Sequence, residues 1–161
     1  MIRVATPLDE VPIGALLLAS YSYFYKGWYR DDLLKVAMPD MTRPRPELLA
    51  SGTYYVYERK ERMIACGGWS KNDPLGLRNG AHIGHIRHFA THHEYIGSGA
   101  GSALIGRCIT SGKSEGITEF DCLSSLTAEA FYASRGFSHI KPIEVPMGGA
   151  KFTCILMRLI L

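Results

Sequence analysis

The stretch that most constrains this chain is Ile96-Gly97-Ser98-Gly99-Ala100-Gly101-Ser102-Ala103-Leu104. Glycine stands at every second position from 97 to 101. A β-rich run, Ile83 to Thr91, lies upstream, and a helix-compatible run, about Ser102 to Gly112, follows. Without Cβ atoms the backbone can turn sharply and let a ligand approach closely. Such a turn presents free N–H groups at the start of a helix, and together with the helix dipole these suit phosphate. Ser98 and Ser102 add hydroxyl donors. Ala103, Leu104, Cys108 and Ile109 give the helix an apolar stripe for packing on a sheet. Two phosphate-binding motifs are disfavoured. No Gly-Lys-Ser/Thr follows, so this is not a Walker loop. Three strands precede the one that leads into the turn, whereas a dinucleotide fingerprint normally opens the first βαβ unit.

The rest of the chain supplies the frame. Ile2 to Ala5 alternates as a short strand, and Pro7 and Asp9 suit a helix start. Val11 to Ser20 is apolar and helical, and the aromatic cluster Tyr21, Tyr23, Phe24, Tyr25, Trp28, Tyr29 follows. Asp31 to Val36 reads as a second short helix. Pro39, Pro44 and Pro46 mark a loop, with one more helical turn over Pro46 to Ala50. Thr53 to Glu58 is rich in β-formers, Arg59 to Arg62 is a polar turn and Met63 to Ser70 is the return strand. Asn72 to Gly80 is a loop. Strand Ile117 to Leu123, a helix over Ala128 to Ser134 capped by Gly136, and strands Ile140 to Val145 and Phe152 to Leu159 complete the order. The pattern predicts a mixed α/β domain with a largely antiparallel central sheet of six to seven strands flanked by helices. One domain spanning 1–161 is expected.

Composition narrows the function classes. The chain is 47% apolar with a formal net charge of +3, and its Lys and Arg are scattered. No basic run of the kind that grips nucleic acid or anionic lipid is present. Cys66, Cys108, Cys122 and Cys154 lack the close spacing of zinc or redox motifs, so buried free thiols are expected. The strand-like start at Met1 predicts neither a signal peptide nor a membrane span, and a cytoplasmic location is the default. His82, His85, His88, His92 and His93 crowd one region. His92 and His93 are expected to point apart with no carboxylate to complete a set, so no metal is expected.

Two segments carry a family resemblance. Ile86 to Leu104 resembles the acetyl-CoA-binding motif of the GNAT superfamily of N-acetyltransferases: a strand, a His/Pro-type turn, Arg/Gln-x-x-Gly-x-Gly/Ala, and a helix. Gly99 and Gly101 match the small positions. Ile96 stands at the Arg/Gln position and His93 where many members have Pro. Ser125-Leu126-Thr127-Ala128-Glu129-Ala130-Phe131-Tyr132-Ala133-Ser134-Arg135-Gly136-Phe137 is similar to the later motif Asn-x-x-Ala-x-x-Phe-Tyr-x-x-x-Gly-Phe. Ala128, Phe131, Tyr132, Gly136 and Phe137 fit, and Ser125 takes the Asn place.

The resemblance implies a GNAT fold in which strand Ile83–Thr91 splays from a parallel neighbour, Ile117–Leu123, and admits the acyl-pantetheine arm. It implies an acetyltransferase that uses acetyl-CoA and a primary amine of a small molecule or peptide, by direct attack in a ternary complex. A non-catalytic acyl-CoA-binding or regulatory domain of the same fold is the alternative. Phe89, Ala90 and Thr91 would pair with the pantetheine and polarise the thioester. Ile96, Gly97, Ser98, Gly99, Ala100, Gly101 and Ser102 would hold the pyrophosphate, and Ser125 would touch the arm. Tyr132 is the general-acid candidate, against the reading of a core aromatic beside Phe131. His85 is the base candidate, against water or a structural role. By strand alternation His85, Arg87 and Phe89 share one face. Arg87 is a candidate for a substrate carboxylate or a solvated strand residue. Tyr25 and Trp28 are candidates for the acceptor wall, or packing residues of the first helices. The apolar C-terminal strand Cys154–Leu161 is either a homodimer surface or a central strand.

Overall fold

Our computed structural model describes all residues, 1–161. Seven strands form one sheet: β1 (Ile2–Val4), β2 (Tyr54–Arg59), β3 (Arg62–Ser70), β4 (Ile83–Thr91), β5 (Glu119–Ser125), β6 (Ser138–Met147) and β7 (Ala150–Ile160). Their spatial order is β1-β2-β3-β4-β5-β7-β6. Every neighbouring pair is antiparallel except β4 and β5, which are parallel. The expected mixed, mostly antiparallel sheet is therefore present. Its one parallel step is bridged by a helix, as a parallel crossover requires.

Five helices cover the two faces: α1 (Glu10–Phe24), α2 (Asp31–Met41), α3 (Pro46–Leu49), α4 (Ala100–Ser114) and α5 (Glu129–Ser134). One apolar cluster gathers Ile13, Leu17, Tyr21, Ala37, Met41 and Leu48 from α1 to α3 over Tyr54, Val56, Cys66 and Ala90. The other gathers Leu104, Ile105, Cys108 and Tyr132 from α4 and α5 over Trp69, Ile86, Phe120 and Met157. All four cysteines are buried free thiols. Burial of these two clusters is the main driving force for the layered arrangement.

Helix α2 runs on through Pro39 to Met41, where the sequence suggested a loop. Pro39 removes one backbone donor close to the helix end, and the buried Ala37 and Met41 hold the last turn against the core. The β2–β3 turn uses Lys60 and Glu61, both with positive φ (49° and 61°), a two-residue hairpin geometry that normally recruits Gly or Asn. At the β6–β7 turn the same geometry falls on Gly148 and Gly149. A Cβ at Gly148 would lie 2.4 Å from the Val36 carbonyl oxygen, so this hairpin tip lies against α2. Strand β7 is paired on both sides, by β5 and by β6. It is a central strand of the sheet, one of the two readings of Cys154–Leu161. No helix is long and apolar enough to cross a membrane.

Candidate active site

The parallel pair is short. β4 and β5 are joined through Ile83↔Glu119, Gly84↔Phe120 and His85↔Asp121, and no further. Beyond that point each strand is held from outside. β4 stays on β3 as far as Ala65↔Thr91, and β5 stays on β7 as far as Ser125↔Cys154. The sheet therefore opens between Ile86–Thr91 and Cys122–Ser125.

A bulge marks the opening. Between Cys66↔Ala90 and Gly68↔Arg87, two residues of β4, His88 and Phe89, oppose Gly67 of β3. His88 adopts φ +53°, unusual for a non-glycine residue, and its surroundings hold it there. Its Nε2 donates to the Met41 carbonyl at 2.7 Å, and its own carbonyl accepts from the Tyr54 hydroxyl at 2.7 Å. The Phe89 carbonyl accepts from the Tyr21 hydroxyl at 2.8 Å. Burial pushes the His88 pKa down to about 4, so the ring is neutral near pH 7. The Phe89 ring lies over Gly67, where a Cβ would come within 2.4 Å of it.

The extra residue corrects the alternation expected for β4. Phe89 packs with the cluster under α4 and α5, T-shaped to Tyr132 at 6.3 Å, and leaves the face of His85 and Arg87.

Two cavities converge on the opening. The first, of about 500 Å³, lies between the glycine turn and α1. Phe89, Ala90, Thr91, Ile96, Gly97, Gly99, Ala100, Gly101, Ser102 and Ser125 all line it. Ser98 does not; its hydroxyl is buried with no hydrogen-bond partner. Gly97 and Gly99 take positive φ (76° and 86°), which only glycine adopts cheaply. The N–H groups of Gly97, Gly99, Ala100, Gly101 and Ser102 find no backbone acceptor, and no acidic residue sits in the first turn of α4. Free N–H groups at a helix start suit an anion. Gly101 lies against Phe131, whose ring a Cβ would meet at 3.2 Å.

The second cavity, of about 840 Å³, lies beyond the opening, between the α2–α3 segment, the 72–75 loop and the β6–β7 hairpin. Both cavities share Tyr21, Tyr25, Phe89, Ser125, Ala128 and Tyr132.

Tyr132 is buried at this junction among Phe131, Phe137 and Phe89. Burial raises its pKa far above the ordinary phenol value, so it keeps its proton. The neighbouring Cys122 thiol is also pushed up, again by burial. Tyr25 stacks on Tyr21 at 4.8 Å and lines both cavities. Arg87 lines the larger cavity, its Nη1 donating to Ser70 Oγ at 3.0 Å.

Two candidates lie elsewhere. His85 lines neither large cavity. It is buried beside a pocket of about 50 Å³ with Arg78, Asp121 and the 73–77 loop, its Nε2 has no partner, and burial lowers its pKa. Strand position brought it level with the last paired residue of the parallel ladder, before the opening begins. Trp28 is 60% exposed and lines neither cavity. His92 and His93 stack at 4.4 Å and do not point apart, because the chain leaves β4 for a 3-10 turn at His93–Tyr95. Tyr21 and His88 entered the sequence reading only as members of the aromatic cluster and of the histidine group. The i, i+4 spacing of Tyr21 and Tyr25 carried a signal. Nothing local to His88 did, since its place depends on the bulge.

A cavity of about 500 Å³ at the split of a parallel strand pair, with free helix-start N–H groups at one end, is the arrangement of the acyl-CoA-dependent class of N-acyltransferase folds. The chain belongs to the acetyltransferase (GNAT) family, whose model matches residues 15–137. Among solved structures it is similar to a GCN5-related N-acetyltransferase from Rhodopseudomonas palustris, with TM-score 0.80 at 17% identity over 100% of this chain and 95% of that one. It is similar also to the PaiA N-acetyltransferase from Thermoplasma acidophilum in complex with coenzyme A, with TM-score 0.75 at 14% identity over 100% and 98%. The ribosomal-protein-S18-alanine N-acetyltransferase from Escherichia coli gives TM-score 0.66 at 14% identity over 99% and 92%. No curated protein matches the chain by sequence.

Proposed function

We propose that this protein transfers the acetyl group of acetyl-CoA to a primary amine by direct attack within a ternary complex. The observation that carries the reading is the meeting of two cavities at Tyr132, one ending in free helix-start N–H groups and the other open to an acceptor. In this reading the N–H groups of Gly97, Gly99, Ala100, Gly101 and Ser102 take the pyrophosphate, and the edge of β4 from Phe89 to Thr91 lines the pantetheine arm. Ser125 flanks the arm from β5. The amine enters from the larger cavity past Tyr25, and its nitrogen forms the amide bond as the carbon–sulfur bond breaks. The amine proton leaves to water in the cleft, since His85 borders neither cavity. Tyr132 gives its hydroxyl proton to the leaving thiolate and regains one from solvent. Products are an amide and free CoA, with no covalent enzyme intermediate.

Calorimetric titration with acetyl-CoA, with desulfo-CoA and ATP as comparators, tests the cofactor assignment. Micromolar binding of acetyl-CoA is expected, weakened at least about tenfold in Gly99→Val and Gly101→Val. Gly99→Val strains a φ of +86°, and Gly101→Val drives a side chain into Phe131. Absence of binding by any CoA thioester overturns the reading. Binding without release of CoA across a broad amine panel points to a CoA-binding module in place of an enzyme.

A further inference from the structure

The larger cavity is bordered by six charged side chains: Asp40, Glu47, Asp73, Arg43, Arg45 and Arg87. Four of them are already satisfied. Arg43 and Arg45 both hold Asp40, at 2.8 and 3.3 Å. The Asp73 carboxylate accepts from the backbone N–H groups of Leu75, Leu77 and Arg78 at 2.8 to 3.0 Å, and so serves its own turn. Glu47 is exposed on the rim. That leaves Arg87, the one cation of the cavity wall with no carboxylate within 4.0 Å. Its side-chain partner is the neutral hydroxyl of Ser70, which uses one of five guanidinium N–H donors.

Arg87 is only partly exposed, and burial works against its charge. Keeping an unpaired cation in a partly desolvated wall costs stability unless an anion completes it. The guanidinium fork matches a carboxylate in a bidentate way that a lysine does not. Arg87 also lies on β4 two residues before Phe89, at the mouth of the strand opening where the amine must arrive. Met41, Leu48, Val145, Met147 and Phe152 add apolar wall beside the polar Ser51, Asn72 and Ser125.

We propose that the acceptor of this site carries a carboxylate as well as its amine, in the manner of an amino acid, and that Arg87 binds that carboxylate. The inference rests on the acyltransferase reading above and adds the class of acceptor to it.

The test compares matched acceptors: leucine, methionine and phenylalanine against their carboxamides and against the decarboxylated amines, with CoA release followed at fixed acetyl-CoA. In the unaltered protein kcat/KM is expected to favour the acids by about tenfold to a hundredfold, the effect of one charge-assisted hydrogen-bonded contact. Arg87→Gln removes that preference through KM, leaving kcat and acetyl-CoA affinity close to unaltered. Arg87→Lys restores part of it. Binding of the acids to the CoA-loaded protein, measured by calorimetry, gives a readout that does not depend on turnover.

Equal use of acids and amides, or an Arg87→Gln loss shared equally by both, overturns this inference and leaves the acetyltransferase reading standing. Failure of acetyl-CoA to bind overturns the acetyltransferase reading itself.

Discussion

At Tyr132 the local environment bears on both partners of the proposed proton transfer. The phenol is held protonated by burial. A thiolate leaving into the same apolar space is destabilised as well, as the raised pKa of the adjacent Cys122 thiol illustrates. Burial therefore acts in the same direction on the donor and on the acceptor of the proton. Tyr132→Phe keeps the ring packing and is expected to lower kcat about 100-fold while acetyl-CoA affinity holds. A kcat equal to that of the parent removes Tyr132 from the chemistry.

His88 gives a second residue-scale prediction. Its folded pKa of about 4 lies below the ordinary value of 6.5, so the unfolded chain takes up a proton first as the pH falls. The stability it contributes is complete above pH 6.5 and is lost as the pH drops towards 4, on the order of 3 kcal/mol in all. Urea unfolding at pH 7 and at pH 4.5 should show a smaller loss in His88→Asn, which tolerates positive φ and does not titrate there. An unchanged difference between the two pH values counts against a buried neutral imidazole. Tyr132 was legible from its motif, and His88 was not, because a bulge is a property of two strands together.

Among the elements, β5 carries the charge cluster that ends the parallel ladder. Asp121, only 4% exposed, accepts from Arg78 Nη1 at 3.0 Å and from Arg158 Nε at 2.7 Å. Arg78 also pairs with Glu119, and so ties the 72–80 loop to the base of β5. Removing the shared carboxylate leaves two guanidinium groups facing each other. Asp121→Ala is expected to cost roughly 2–3 kcal/mol by denaturant unfolding, at the low end for a buried pair because both arginines are partly exposed. A loss below about 0.5 kcal/mol would mean that solvent screens the whole cluster.

Element boundaries were largely readable. Strand β4 has the bounds that its β-formers suggested, and α4 starts two residues before the expected Ser102. The run of α2 through Pro39 was not readable, because packing of Ala37 and Met41 outweighs one lost hydrogen bond.

For the molecule as a whole, the two apolar clusters are bridged by Leu126, which packs against both, and the cavity system runs through the place where the sheet is split. A ligand that spans the split fastens one half of the sheet to the other. Acetyl-CoA at about 100 times its dissociation constant is expected to add about 2.7 kcal/mol. In a chain of this size that raises Tm by roughly 5–10 °C. ATP at equal concentration should leave Tm near its starting value. An equal rise with ATP would assign the glycine turn to phosphate in general.

The sequence by itself determined the layered α/β class, the β-rich and helical runs, the glycine turn and the tyrosine of the later motif. Each of these follows from side-chain type, spacing or a local motif. Only the tertiary structure decided that His85 lies beside the ladder and not the cleft, and that the bulge turns Phe89 towards Tyr132. It also decided that Trp28 faces solvent and that Arg87 alone among the cavity's cations has no carboxylate partner. Those outcomes depend on register, on where a parallel pair stops and on which distant carboxylates reach which arginines, and one strand read alone carries none of that information.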